Sequence, residues 1–434
     1  MTDETMAQAS YPGVSVDSRP QPSDAALIRY GDFALFLCLF LYCNSIWVWP
    51  TDAQAGAGFE RPFASLHRYA CYMGLIWPFI AARRLTWTWS FQQFVLFLFM
   101  MLTGFSVLWS ISESLTFKTV LSLVSSVVFF QYYVEKYSGR LVLNQLIVAS
   151  TLVLLLSVAA ALAHVNVTLM AGFHEGLWRG FFVHKNPFGA FAAFYALLVF
   201  YAAGRLGYGT MARTLMLVLA VVVLLKSSSS TAILALGSAV VLVTGVVTLR
   251  TMTRNAILTW LLIAICAAPV VFGIWAYFAD VLELVGRDST FSGRDRVWPY
   301  FLRIIETNGF WGTGYGTPFL PGTFAIDAQE SLFWSVRSPH NAFLGLALNV
   351  SWIGAGLFAA WLMANLFSAV SLSRVTKFGS LYLGFCGFSM LLCLVETTGW
   401  ADITRGDFFF LYVSALIAGQ EIMHGAGPDP EVKS

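Results

Sequence analysis

Three short stretches of this sequence bring together side chains able to do chemistry. Ser338-Pro339-His340-Asn341 stands at the head of a long apolar run, and the chain has only six histidines. A histidine there can take a proton from a hydroxyl near neutral pH, with Asn341 in reach to orient it or a substrate hydroxyl. His184-Lys185-Asn186-Pro187 opens another apolar run. Pro187 suits the first turn of a helix and Asn186 its cap. Lys185 then adds positive charge to the positive end of a helix dipole, which is favourable only if an anion binds. The third stretch, Ser292-Gly293-Arg294-Asp295-Arg296, offers guanidinium forks that match phosphate oxygens. Each has a plainer reading: an interfacial hydrogen bond for His340, a snorkelling Lys185 beside a capping Asn186, and surface pairing of Arg294 and Arg296 with Asp288 or Asp295.

The elements that must position these groups are membrane helices. The chain has 434 residues, 58% hydrophobic and 11% charged, with a mean hydropathy of +0.72. A soluble domain carries about a quarter of its residues charged. Apolar runs near 20 residues recur, each able to cross about 30 Å of hydrocarbon. They predict an all-α integral membrane protein of about twelve spans: 31–50, 68–82, 91–111, 117–134, 141–163, 187–204, 212–226, 231–249, 255–279, 340–366, 378–397 and 407–423. Residues 1–30, polar and without a signal-peptide pattern, are expected to be a disordered tail, with 424–434 as a second tail. Spans one to nine fill 31–279, a loop subdomain fills 280–339, and the last three spans fill 340–423. Arg83 with Arg84, Lys136 with Arg140, Arg205 with Arg213, Arg250 with Arg254, and Arg374 with Lys377 fall on alternate loops, on the face shared by both termini. That face is expected to be cytoplasmic. A net charge of +2 gives no sign of a nucleic-acid partner. The six cysteines (Cys38, Cys43, Cys71, Cys266, Cys386 and Cys393) lie in or beside apolar runs without ligand spacing and read as core or lipid-facing residues.

The opposite, outer face carries loops 164–186 and 280–339. These hold Arg179 and Lys185 in the first, and Arg287, Arg294, Arg296, Arg303 and Arg337 in the second. Either the charge rule weakens in long loops or an anion binds there. Within the longer loop, a short interfacial helix is expected after a cap at Ser292, with Trp298, Phe301, Leu302 and Ile305 on one face. Gly-rich 312–318 follows as turn sequence that could shape a loop near a bound donor. Trp298, Trp311 and Trp334 could stack on sugars or form an interfacial belt. The outer acids (Asp280, Glu283, Asp288, Asp295, Glu306, Asp327, Glu330, Glu396 and Asp402) are dispersed and suggest no metal site. A base and several cations at an outer membrane interface fit a polyprenyl-diphosphate sugar. Its leaving group needs fixed positive charge rather than a general acid, and its acceptor hydroxyl needs alignment and deprotonation.

HKNPFGAF, KSSSSTAILAL, SGRDRVW, GTGYGT and SPHNAFLGLALN with a following WIG, in this order around one long outer loop, resemble the O-antigen ligase and exopolysaccharide polymerase superfamily over roughly residues 90–420. The resemblance implies a twelve-span fold with a periplasmic loop domain in a bacterial inner membrane. It also implies metal-independent, cofactor-free transfer of undecaprenyl-diphosphate-linked glycans with inversion at the anomeric carbon. Through it, His340 becomes the expected catalytic residue, and Arg294, Lys185 and Asn186 its expected substrate ligands, joined by Asn341, Arg179, Arg296 and Arg303. One position departs from the pattern: Ser230 stands where many ligases have an arginine, leaving Lys226, Arg179 or Arg303 as candidates to replace it. That departure favours a polymerase, with lipid-linked donor and acceptor, membrane lipid and a chain-length regulator as partners, over a ligase. A transporter or flippase, the rival from another class, calls for charged groups at mid-membrane, and the spans carry almost none.

Overall fold

Ser90 sets the start of the first long helix, its hydroxyl accepting a hydrogen bond from the Gln93 N–H at 3.3 Å. The structure is a computed structural model that describes residues 36–37, 90–170, 175–182, 184–251, 294–307, 310–318, 338–373, 375–397 and 407–423. Its helices, in order, are α1 (Phe91–Phe105, continued by a 3-10 turn Ser106–Trp109), α2 (Glu113–Lys136), α3 (Gly139–Leu162), α4 (Lys185–Leu198, continued by a π turn Val199–Ala203) and α5 (Thr210–Ser227). After them come α6 (Ser230–Thr251), α7 (Arg294–Thr307), α8 (Ala342–Leu372), α9 (Gly379–Val395) and α10 (Asp407–Met423). Among the described residues the one β interaction is an isolated bridge between Leu169 and Trp178. Apart from residues 36–37, the expected spans at 31–50, 68–82 and 255–279 lie outside the described residues, as do Ser292, Arg287, Trp334, Arg337 and four of the cysteines; each other expected span coincides with a helix.

Seven of the described helices are long and apolar enough to cross a membrane, and α9 and α10 are shorter apolar helices. Their packing follows from side-chain size. On α6, Ala232, Ala235 and Ala239 are fully buried at helical spacing, so α9 comes close enough that a Cβ on Gly387 would meet the Ala239 Cα at 3.3 Å. Small residues at such contacts are how membrane helices gain dispersion energy without a hydrophobic drive. Cys386 and Cys393 are buried inside this core. The outer side of α5 shows the opposite pattern, with Leu215, Val218, Val221 and Leu225 all exposed. A stripe of that kind suits contact with lipid.

The tenth expected span is broken. Within α8, Val350 and Ser351 leave helical geometry, with φ 73° at Ser351. The break releases two backbone carbonyls, which accept hydrogen bonds from a docked loop: Thr313 N–H to Leu348 O and Gly314 N–H to Asn349 O, both at 3.0 Å. The Asn349 side chain also accepts the Gly316 N–H and donates to Gly345 O. Gly312 takes φ 74°, and a Cβ there would lie 2.7 Å from Asn349 O, so glycine alone fits. Irregular backbone beside a span survives only when its polar groups are satisfied in this way. Gly-rich 312–318 is therefore anchored against α8 and α1, with Ile111 N–H donating to Thr313 O and Tyr315 buried edge-on to Phe99.

The helix α7 differs from expectation in its buried stripe. Val297, Phe301 and Ile304 form the packed face, meeting Leu348 of α8, whereas Leu302 is exposed. Helix starts also shift. Residues 340 and 341 were expected inside the tenth span, but α8 begins at Ala342 with Asn341 as its cap. Lys185 opens α4, so the cap falls to His184, whose Nδ1 accepts the Asn186 N–H at 3.3 Å, and not to Asn186.

Candidate active site

The Pro339-His340-Asn341 turn is fixed from both sides. Trp298 of α7 donates its indole N–H to Pro339 O at 3.0 Å. Asn341 uses both ends of its amide: Oδ1 accepts from Phe343 N–H at 2.9 Å and Leu344 N–H at 3.0 Å, and Nδ2 donates to Leu394 O at 3.1 Å. One side chain thus caps α8 and ties it to the last turn of α9. His340, between these anchors, adopts φ 49°, a left-handed conformation that non-glycine residues reach at a cost and that concentrates at functional sites.

That conformation turns the imidazole towards Glu396, the residue just past α9. Nδ1 of His340 lies 3.2 Å from Oε2 of Glu396. The carboxylate is 4% exposed and the imidazole 42%. Oε1 of Glu396 accepts from Asn186 Nδ2 at 3.0 Å and from Arg294 Nη2 at 3.4 Å. The same Nη2 donates to Val395 O at 2.7 Å, so the guanidinium also satisfies the negative end of α9. A buried carboxylate is tolerable only when paired and hydrogen-bonded, and here the partners come from three chain segments. Burial lowers the pKa of Arg294, and the Glu396 charge acts in the opposite sense. The structure therefore gathers His340, Arg294 and Asn186 around one acid. From sequence, Glu396 was one of the dispersed outer acids, near the outer end of a span, with no role in the site. The available signal was its position at the end of the apolar run LLCLVE, where an unpaired charge is costly.

Lys185 points to the neighbouring turn, donating to Ser228 O at 3.0 Å. Ser228 holds that turn between α5 and α6 in a left-handed conformation. On its far side Trp178 N–H donates to Lys226 O, and the Lys226 ammonium lies 5.7 Å from the Trp178 ring centre. Arg179 follows Trp178, buried, with a pKa lowered by that burial. Of the three candidates to replace the missing arginine at Ser230, Lys226 and Arg179 flank this turn. Arg296 and Arg303 are exposed, and at about 100° per residue they fall on the side of α7 opposite Arg294. The N-termini of α4, α6 and α8 all lie at this end of the bundle, adding backbone positive charge to that of the lysines and arginines.

Helices gathered around a half-exposed histidine, a buried acid and flanking cations define a membrane-embedded polar site, and comparison with known proteins agrees with the motifs that built it. The family model described as O-antigen ligase matches residues 215–359, a stretch that includes Arg294 and His340 but neither Lys185 nor Glu396. The exopolysaccharide production protein ExoQ of Rhizobium meliloti (strain 1021) is 24% identical over 357 residues, 76% of this chain and 76% of that protein.

Proposed function

We propose that this chain is a polymerase that joins polyprenyl-diphosphate-linked repeat units into an exopolysaccharide at the outer face of a bacterial inner membrane. The observation that carries the reading is the Glu396 carboxylate holding His340 Nδ1 while also binding Arg294 and Asn186. With the Nδ1 proton on the carboxylate side, the lone pair of Nε2 is the basic position. Nε2 takes the proton from a hydroxyl of the acceptor glycan, and that oxygen attacks the anomeric carbon of the donor. The bond from that carbon to the diphosphate breaks, its electron pair stays on the leaving diphosphate, and the anomeric configuration inverts. Lys185, Arg294 and the three helix N-termini meet the growing negative charge. Arg179 lies behind them, and Arg296 and Arg303 face outward, where they would meet arriving substrate.

Similarity to a named exopolysaccharide production protein supports polymerisation, as does Ser230 at the position where many ligases have arginine. Transfer of the finished glycan to another acceptor is the second reading, favoured by the ligase description of the matching family model. Neighbouring basic loops on one face support cytoplasmic termini and an outer-facing site. Purified protein given a lipid-linked repeat is expected to make a polymer ladder that survives EDTA, and the His340→Ala protein to make none. A ladder undiminished by that substitution refutes the proposed base. Deletion separates the readings: single repeats left on the carrier lipid mean a lost polymerase, long chains left on it a lost ligase.

A further inference from the structure

At the end of the bundle opposite His340, four basic side chains wall a single cavity of about 560 Å³. Arg140 comes from the first turn of α3, Arg205 from the residues after the π turn, Arg213 from the first turn of α5, and Lys377 from just before α9. Two helices connect this cavity to the candidate active site. The α4 segment with its π turn runs from Lys185 to Ala203, 19 residues or roughly 28 Å at 1.5 Å per residue. In the opposite direction α9 runs from beside Lys377 to Glu396. The cavity is thus a separate place, a membrane thickness away from His340.

Charge bias between loops explains why basic residues collect at one end, but not why four separate stretches deliver them to one cleft. Like charges held together repel unless an anion neutralises them. Among the described residues no carboxylate lines the cavity. Glu421, nearby, accepts the Phe378 N–H and lies beside Lys377. The starts of α3, α5 and α9 add three positive helix ends to the same cleft. Arg213 is held flat over Gly204, where an added Cβ would meet its Nη1 at 3.0 Å. Its Nε is buried with no hydrogen-bond partner among the described residues. Arg205 is braced on Tyr201 O. Phe200, packed edge-on to Tyr201, is exposed at the rim, giving the cleft an apolar lip next to its charged floor.

The geometry points to a binding site for a phosphate-ester anion. Guanidinium forks match phosphate oxygens, and basic pockets between membrane helices take the headgroups of anionic lipids. The phosphate belongs either to a bilayer lipid such as cardiolipin or phosphatidylglycerol, or to a soluble diphosphate compound. The site lies outside the machinery proposed above for glycan transfer and stands or falls independently of it.

The test uses the full-length protein, delipidated in detergent, with thermal unfolding and native mass spectrometry as readouts. It is titrated with cardiolipin, phosphatidylglycerol, phosphatidylcholine and, separately, sodium diphosphate. The His340 end is also cationic, so each response is compared with that of an Arg140→Gln/Arg213→Gln protein and of a Lys118→Gln control, which removes a basic residue outside the cleft. The expected result is retention of a phosphate ligand and a rise in unfolding temperature, both lost in the double variant and kept in the control. A response to the two anionic lipids but not to diphosphate assigns the site to the bilayer; a response to diphosphate assigns it to a soluble anion. If the double variant does not extract as folded protein, Arg140→Gln and Lys377→Gln are compared singly, each with affinity expected to fall about tenfold. No preference for phosphate anions over phosphatidylcholine, or equal binding by wild type and variants, overturns the proposal.

Discussion

Nδ1 of His340 lies 3.2 Å from Oε2 of Glu396, joining an imidazole 42% exposed to a carboxylate 4% exposed. The pairing joins the start of α8 to the end of α9, two elements already tied by Asn341 and Leu394. A ring held through one nitrogen keeps its tautomer and aim while the other nitrogen works, the arrangement that makes a histidine an effective base.

Replacing Glu396 by Gln is therefore expected to reduce kcat far more than it changes KM. The loss should fall within the roughly 10²- to 10⁴-fold range of a mispositioned general base. Glu396→Asp should recover part of it, because the charge is restored at a longer reach. Initial rates of polymer formation from a purified lipid-linked repeat decide the matter. Equal kcat in wild type and Glu396→Gln would leave the carboxylate with a packing role only.

His340→Asn is the sharper probe of the base than alanine. Asparagine tolerates the left-handed backbone at φ 49° but cannot act as a base near neutral pH. Unfolding temperature in detergent should stay close to wild type while turnover disappears. His340→Gly should behave likewise, and turnover by either variant would count against the imidazole.

Much of this site was legible before any coordinates, and the limits have physical causes. Helix periodicity and turn residues placed the spans, because seven apolar stretches are long enough to declare themselves. His340 and Asn186 were singled out as polar groups at the lips of apolar runs and Arg294 as a guanidinium of the long outer loop, and all three meet at Glu396. Asn341 was read as a group that orients the histidine or a substrate hydroxyl; its amide oxygen caps α8 and its nitrogen donates to Leu394 O, a capping role that local sequence does not tell from a ligand's. The role of Glu396 was not legible because its partners lie 56, 102 and 210 residues away. The break in α8 escaped because LALNVSWIGAG keeps the hydropathy of an unbroken span while the loop that satisfies it comes from residues 313–316.

Arg294 and Glu396 form a buried pair, with side chains 12% and 4% exposed. Removing one partner strands the other, so Arg294→Met is expected to destabilise by about 3–5 kcal/mol. Adding Glu396→Leu should return much of that stability, since two apolar side chains need no pairing. Turnover should stay absent in the double variant. Arg294→Lys, which replaces a planar fork by a point charge, should keep more stability than Arg294→Met but lose most of the rate. Thermal unfolding of wild type, Arg294→Met, Glu396→Leu and the double variant in one detergent gives the coupling; purely additive losses would show that the pair is not energetically linked.

The docked loop offers a test whose sign reverses within one helix system. Gly312 has φ 74°, and a Cβ there would stand 2.7 Å from Asn349 O. Gly312→Ala therefore meets backbone strain and a clash that only movement of α8 can relieve, at an expected cost of about 1–3 kcal/mol. Asn349→Leu should cost a similar amount, because it removes the acceptor of the Gly316 N–H and the hydrogen bond from buried Asn349 to Gly345 O. Gly356, in the same helix beyond the break, has open space where its Cβ would go. Gly356→Ala should stabilise slightly, by about 0.5–1 kcal/mol, from helix propensity alone. Unfolding temperature together with limited proteolysis of residues 310–318 reads all three. A loop that stays protected in Gly312→Ala would mean that the broken segment of α8 does not depend on it. Faster cleavage in Gly312→Ala and Asn349→Leu, with none in Gly356→Ala, would tie the irregular turn of α8 to the hydrogen bonds that the glycine-rich segment brings to it.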